Sequence, residues 1–269
     1  MGDTSVFKRY ELKYRLTREQ KAKVVDLISQ YMELDSYGRS SIYNIYYDTD
    51  DFRLIRNSIE KPAYKEKLRV RSYGKCTYNG KVFVEIKKKY DSVVYKRRIS
   101  MGNRAAEMWL TSEEDCPADS QIGYEIEYFR HFYKGIKPQV FLSYEREAYF
   151  MKDGSDFRVT FDDNIMARRD RLSLTEEADG TPLIGEDEVL MELKISAGMP
   201  IWMARFLSEE KIFKTSYSKY GTFYQKVIYP EIKSSFSGEK ITAKNPVTGK
   251  NKVAYLPGRT AARRAISAS

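Results

Sequence analysis

Charged side chains recur two residues apart in several stretches of this chain. Lys65, Lys67, Arg69 and Arg71 form one run, and Arg9, Glu11, Lys13 and Arg15 form another. Glu85 with Lys87, Lys96 with Arg98, Arg158 with Thr160 and Asp162, and Glu192 with Lys194 repeat the spacing. In a strand, residues two apart share a face, so each run makes that face ionic. Turned outward, these faces are the solvated exterior of a barrel filled by Val70, Val84 or Ile86, Val159, Phe161, Met191 and Leu193. Turned inward, they line a cavity in which unpaired cations each cost several kcal/mol. A triphosphate or longer phosphate chain offsets that cost, with arginine forks binding in pairs of hydrogen bonds and lysines acting as point charges. Alternation alone leaves both readings open.

Under the inward reading, the carboxylates Glu192, Glu85 and Glu11 become candidate ligands for Mg²⁺ or Mn²⁺, which take oxygen donors and share them with phosphate. Under the outward reading, each is a cross-strand partner of Lys194, Lys87 or Lys13. Other chemistries are excluded by the residues they require. The Gly-Lys pairs precede Cys76, Val82 or Asn251, so no P-loop is present. There is no G-x-G-x-x-G between a strand and a helix, and no G-x-S-x-G elbow. One histidine, His131, and two isolated cysteines, Cys76 and Cys116, support neither a zinc site nor a disulfide framework.

The elements that carry these faces follow from period-two patterning with Val, Ile, Tyr and Phe. Strands are expected near 7–15, 41–48, 64–73, 81–89, 93–100, 139–150, 156–162 and 188–195, enough for a small closed barrel. Thr17 and Gln20 make a capping box ahead of Val24, Val25, Ile28, Tyr31 and Met32, a helix expected to plug or flank the sheet. Further helices are expected at 103–111, 122–134 and 200–212, and residues 170–187 read as an exposed acidic loop.

The formal charge of +9 is uneven. From Ser234 onward seven Lys or Arg face a single acid, Glu239, so the expected division is a folded body over 1–233 and a basic, flexible tail over 234–269. The body is therefore not a generally basic surface, and nucleic acid is not expected as a partner. No stretch approaches the roughly 18 apolar residues of a membrane span, so a cytoplasmic setting is expected.

Eight segments carry a resemblance. Phe7-Lys-Arg-Tyr-Glu-Leu-Lys-Tyr14, Ile45-Tyr-Tyr-Asp-Thr49, Lys67-Leu-Arg-Val-Arg-Ser-Tyr-Gly74, Phe83-Val-Glu-Ile-Lys-Lys88, Tyr144-Glu-Arg-Glu-Ala-Tyr149, Phe157-Arg-Val-Thr-Phe-Asp162, Met191-Glu-Leu-Lys194 and Ser218-Lys-Tyr220 occur in order over residues 7 to 228. Together they resemble the VTC domain of polyphosphate polymerases, within the triphosphate tunnel metalloenzymes. The resemblance implies an α+β fold: an eight-stranded antiparallel barrel, ionic faces inward, with flanking and plugging helices. It implies transfer of the γ-phosphoryl group of ATP to a growing inorganic polyphosphate chain, dependent on Mn²⁺ or Mg²⁺.

By that likeness Lys13, Arg69, Arg71, Tyr144 and Lys194 carry the reaction. Lys67, Lys87, Lys96, Arg98, Arg146, Arg158 and Lys219 bind substrate, and Glu192 holds the metal. Two departures stand out. The first strand reads Arg9-Tyr-Glu11-Leu-Lys13 where the tunnel superfamily often has Glu-x-Glu-x-Lys, and Ser216 stands where a lysine often precedes Lys219, leaving Lys214 as its substitute. Spacing does not separate synthesis from hydrolysis of triphosphates or from non-catalytic polyanion binding, and any membrane partner is unnamed.

Overall fold

The computed structural model describes residues 10–238, apart from 92, 113 and 197. The chain begins with β1 (Tyr10–Thr17), α1 (Arg18–Ser29), β2 (Met32–Leu34), β3 (Ser40–Asp48), α2 (Arg53–Ile59), β4 (Tyr64–Tyr73), β5 (Lys81–Tyr90) and β6 (Val93–Gly102). It continues through α3 (Asn103–Thr111), α4 (Gln121–Phe132), β7 (Lys137–Met151), β8 (Arg158–Arg168), β9 (Thr181–Pro182), β10 (Glu188–Ile195), α5 (Ile201–Glu209), β11 (Lys214–Thr215) and α6 (Lys219–Phe223), followed by a π-helical turn, Tyr224–Ile228. All eight expected strands and all four expected helices are present. Lys226 to Gly238 belong to a second unit and include α7 (Tyr229–Gly238). Of the basic tail expected from Ser234, residues 234–238 lie in α7, and its remaining basic residues lie outside the described residues.

One antiparallel sheet runs in the order β11-β1-β10-β8-β7-β3-β4-β5-β6. Its apolar faces point outward, beneath helices. Val70, Val84 and Ile86 join Ile45, Trp109, Ile126 and Phe129 in one core between β3–β5 and helices α3 and α4. Val159, Phe161, Met191 and Leu193 join Val24, Ile28, Met203 and Leu207 in a second core under α1 and α5. The residues that a greasy barrel would have placed inside are thus the outer packing layer, and the ionic runs occupy the other face. Helix α1 flanks the sheet, and its capping box is formed: Gln20 N–H donates to Thr17 Oγ1 at 3.1 Å and Thr17 N–H to Gln20 Oε1 at 3.0 Å.

The expected closed barrel is an open ladder, since β1 and β6 do not pair. The free edge of β1 is taken by β11, with Lys13 opposite Thr215 and Tyr14 opposite Lys214. The acidic loop is also less exposed than its composition suggests. Leu174, Leu183 and Ile184 are buried, and the Arg168 guanidinium ties the loop down through the carbonyls of Asp170, Arg171, Glu177 and Asp179. No described helix is long and apolar enough to cross a membrane.

Candidate functional site: a cation-lined tunnel

The inner face is built from register. Across β4, β5 and β6, Arg69 lies opposite Glu85 and Glu85 opposite Arg98, while Lys67, Lys87 and Lys96 form a cross-strand row of three lysines. Lys65 and Lys89 form another like-charged pair. Like charges directly opposite are destabilising in a sheet, so these rows are positions where the fold gives up stability. Across the other wall, Lys13 faces Glu192, Glu192 faces Thr160, and Lys194 faces Arg158.

Three buried carboxylates of the inner face, Glu85, Asp162 and Glu192, each lie among cations. Glu85, 1% exposed, accepts from Arg69 Nε at 2.9 Å and Nη2 at 2.7 Å and lies 2.8 Å from Lys96 Nζ. Burial raises its carboxyl pKa, but Arg69, Arg71 and Lys96 outweigh that and lower it to about 2. Asp162, fully buried, takes a bidentate pair from Arg146 at 2.6 and 2.7 Å and a contact from Lys219 at 2.5 Å, and these two cations likewise outweigh burial and lower it to about 2. Glu192 is different. Lys194 and Lys13 stand at 3.5 and 3.8 Å, beyond hydrogen-bond length, yet their charges hold its carboxyl well below the carboxylate range against the effect of burial. Glu192 is thus ionised and loosely held.

The rest of the expected set converges on these groups. Arg71 donates to Asn44 at 3.0 Å and to the Tyr144 hydroxyl at 3.1 Å. Lys219 and Arg146 lie over the Tyr144 ring at 4.4 and 5.0 Å. Burial raises the Tyr144 phenol, but Arg146, Arg71 and Lys219 bring it below its ordinary value. Lys13 donates to the Tyr217 carbonyl at 2.8 Å and Lys67 to Ser218 Oγ at 3.2 Å. Arg98 lies over the Phe83 ring at 4.8 Å and Arg158 over the Phe150 ring at 4.4 Å. Lys214 is exposed on β11, and Arg9 is outside the described residues.

Burial sets the remaining lysines. It lowers Lys13 and Lys194, and it lowers Lys67 and Lys96 to about 8 although Tyr46 and Glu85 act in the opposite sense. Tyr46 and Asn44 join this cluster at positions that the charge pattern did not mark. The Tyr46 hydroxyl accepts from Arg69 at 3.1 Å, and although burial raises it, Arg69, Lys67 and Arg71 lower it to about 8. Their signal was the Tyr-Asn-Ile-Tyr-Tyr alternation of β3, which places Asn44 and Tyr46 on the face of Arg71 and Arg69.

Lys219 reaches Asp162 because of two short helices. Ser218 Oγ caps α6 by accepting from Gly221 N–H at 3.2 Å, and the Tyr220 hydroxyl donates to Asp48 Oδ2 at 3.0 Å. The same Asp48 carboxylate accepts the Leu54 and Ile55 N–H groups at 2.9 and 3.0 Å, satisfying the first turn of α2.

The neighbouring carboxylates Glu11 and Glu192 offer oxygen donors for a divalent cation. Glu11 and Glu192 lie within each other's electrostatic influence on paired strands, and among the described residues no group of three or more metal-ligating side chains occurs. Two carboxylates completed by phosphate oxygens and water suit Mg²⁺ or Mn²⁺.

The model for the VTC domain matches residues 8–228. The chain belongs to the VTC domain family. No curated protein matches it. Among solved structures, this VTC domain is similar to a Hippeastrum adenylyl cyclase candidate described as having a dominant triphosphatase activity, with TM-score 0.50 and 14% identity over 80% of this chain and 96% of that one. An adenylate cyclase candidate from Bacillus halodurans gives TM-score 0.49 and 13% identity over 79% of this chain and 94% of that one. At these identities the Hippeastrum likeness establishes the shared fold.

Proposed function

We propose that this VTC domain is a metal-dependent polyphosphate polymerase that transfers the γ-phosphoryl group of ATP to a growing inorganic polyphosphate chain. The observation that supports this most is the inner row Lys67, Lys87 and Lys96 beside the Lys65–Lys89 pair. Lys96 and Lys87 also have carboxylate partners in Glu85 and Glu11, but cations outnumber carboxylates along this face, and such a row matches a linear polyanion better than a compact ligand.

In this reading a terminal oxygen of polyphosphate attacks the γ-phosphorus. A new P–O bond forms, the bond to the β–γ bridging oxygen breaks, and ADP leaves with that electron pair. Arg69, Arg71, Lys13 and Lys194 balance the charge that spreads over the transferred group, and Tyr144, held by Arg71, orients it. Lys67, Lys87, Lys96, Arg146, Arg158 and Lys219 hold the flanking phosphates. Glu192, with Glu11 beside it, holds Mn²⁺ or Mg²⁺, which neutralises phosphate oxygens when bound. The attacking oxygen is already ionised near neutral pH, so no general base is required.

The test is incubation with ATP and Mn²⁺, with products resolved on a polyphosphate gel beside Glu192→Ala. A ladder with matching ADP, absent in the variant, is the expected result. ADP with orthophosphate and no ladder replaces the reading with triphosphate hydrolysis. Polyanion binding with no turnover under any divalent metal reduces it to a binding module.

A further inference from the structure

Helix α4 is apolar on two faces. Its inner stripe, Ile122, Ile126 and Phe129, recurs at i, i+4 and i+7 and packs into the core under β3–β5. The opposite stripe of such a helix is ordinarily polar, yet here Tyr124, Tyr128 and Phe132 follow at i, i+4 and i+8 and are 65%, 70% and 53% exposed. Tyr128 and Phe132 stack with ring centroids 6.2 Å apart. Tyr64, exposed at the start of β4, lies within the electrostatic influence of Tyr128 and widens the patch. Contiguous exposed aromatics mark a contact surface, because rigid rings anchor an interface at little entropic cost.

The two ends of this stripe carry opposite charge. The Tyr124 hydroxyl donates to Asp119 Oδ1 at 2.7 Å, and Asp115 is close enough to act on the same hydroxyl. At the other end the Arg53 guanidinium lies over the Phe132 ring at 5.8 Å, and Lys134 is exposed just past the C-cap, Tyr133. The other charged groups beside the stripe are matched within the chain. Glu125 pairs with Lys88 at 3.6 Å and Arg97 at 3.8 Å, Glu127 pairs with Arg130 at 3.0 Å, and His131 turns back to the Glu127 carbonyl at 2.9 Å. A two-fold interface needs a patch that complements itself. Laid antiparallel on a copy, Tyr128 meets its own counterpart, Tyr124 meets Phe132, and Asp119 meets Arg53, while the helix dipoles also oppose. We infer that α4 pairs two copies of this chain in an antiparallel, two-fold dimer centred on Tyr128. Helix α4 belongs to the outer packing layer, so the pairing is independent of what the inner face binds.

The test is sedimentation velocity of the full chain from about 1 to about 200 μM, where a short interface of this kind is expected to dissociate with a constant on the order of 10 μM. Tyr128→Glu sets two like charges on the two-fold axis and is expected to weaken association about ten-fold or more, with thermal unfolding unchanged because the side chain is exposed. Arg53→Glu and Asp119→Arg each bring like charges together at both symmetry-related contacts, so each variant alone is expected to stay monomeric. An equal mixture of the two is expected to associate again, since each chain then offers the other an opposite charge at both contacts. A wild-type protein that stays monomeric across the range overturns the pairing, whatever else covers the stripe. A dimer that Tyr128→Glu leaves intact overturns it too, as does a mixture of the charge variants that associates no better than either variant alone.

Discussion

Lys87 on β5 reaches Glu11 on β1, with Nζ 2.9 Å from Oε2 and 3.1 Å from Oε1. These two strands share no ladder hydrogen bonds, so the pair ties distant parts of the sheet together through side chains alone. Glu11→Gln is expected to lower stability by about 1 kcal/mol, the modest worth of a half-exposed pair. It also removes one of two carboxylates beside the metal position, so the apparent affinity for Mn²⁺ falls. Thermal unfolding with and without Mn²⁺ separates the two effects.

Asp162 neutralises Arg146 and Lys219 at once. Asp162→Asn leaves two buried cations without a counterion and is expected to cost about 3–5 kcal/mol. Tripolyphosphate should recover much of that loss by supplying the missing negative charge. A thermal shift on ligand addition larger in the variant than in the wild type is the expected outcome, and an equal shift speaks against a phosphate beside Arg146.

Alkaline pH should loosen the grip on polyanions. Lys67 and Lys96 titrate near 8 in the folded protein, and an occupied tunnel requires them charged. As pH rises through about 8 the free protein sheds these protons, and Tyr46, also near 8, gains negative charge. All three changes act in the same direction. Tripolyphosphate dissociation constants should therefore rise between pH 7 and 9, and Lys67→Arg should flatten the profile because a guanidinium stays charged. Stability without ligand runs the other way. The unfolded chain holds these lysine protons up to about 10.5, so the lysine contribution favours folding as pH climbs from 8 toward that value.

Acid should unfold the protein in a defined window. Glu85 and Asp162 are lowered to about 2, so their stabilisation is complete above the ordinary carboxylate range and is lost as pH falls from about 4 to about 2. Circular dichroism followed from pH 6 to pH 1.5 should show the transition there, moved downward by tripolyphosphate.

Tyr144→Phe removes the hydroxyl that accepts from Arg71 and keeps the ring under Lys219 and Arg146. Turnover is expected to fall about ten-fold with Km for ATP within about two-fold, the signature of an interaction that matters in the transition state. A rise in Km with unchanged turnover would place Tyr144 in substrate binding alone.

Much of this was legible in the sequence because strand alternation is strict. Lys65 to Arg71 and Val82 to Ile86 each declare a face, and the eight strands follow from such runs. Which face points inward is not written in alternation, since both orientations satisfy the same period. It is set by where α1, α3, α4 and α5 pack, which is tertiary information. Helix α2 escaped because its seven residues have little amphipathic signal and its first turn is satisfied by Asp48. Phe52 precedes it at φ 57°, a backbone state that no propensity suggests.

The pairing of β1 with β10 sets the order in which this protein can be completed. Tyr10 lies opposite Ile195 and Thr17 opposite Glu188, so the first described strand has no partner until nearly two hundred residues have been made. Lys219 and its anchor Tyr220 emerge later still. A nascent chain therefore carries β1 with an open edge until β10 emerges and brings Lys219 to Asp162 only with α6, which makes this a slow-folding topology with a late commitment to binding.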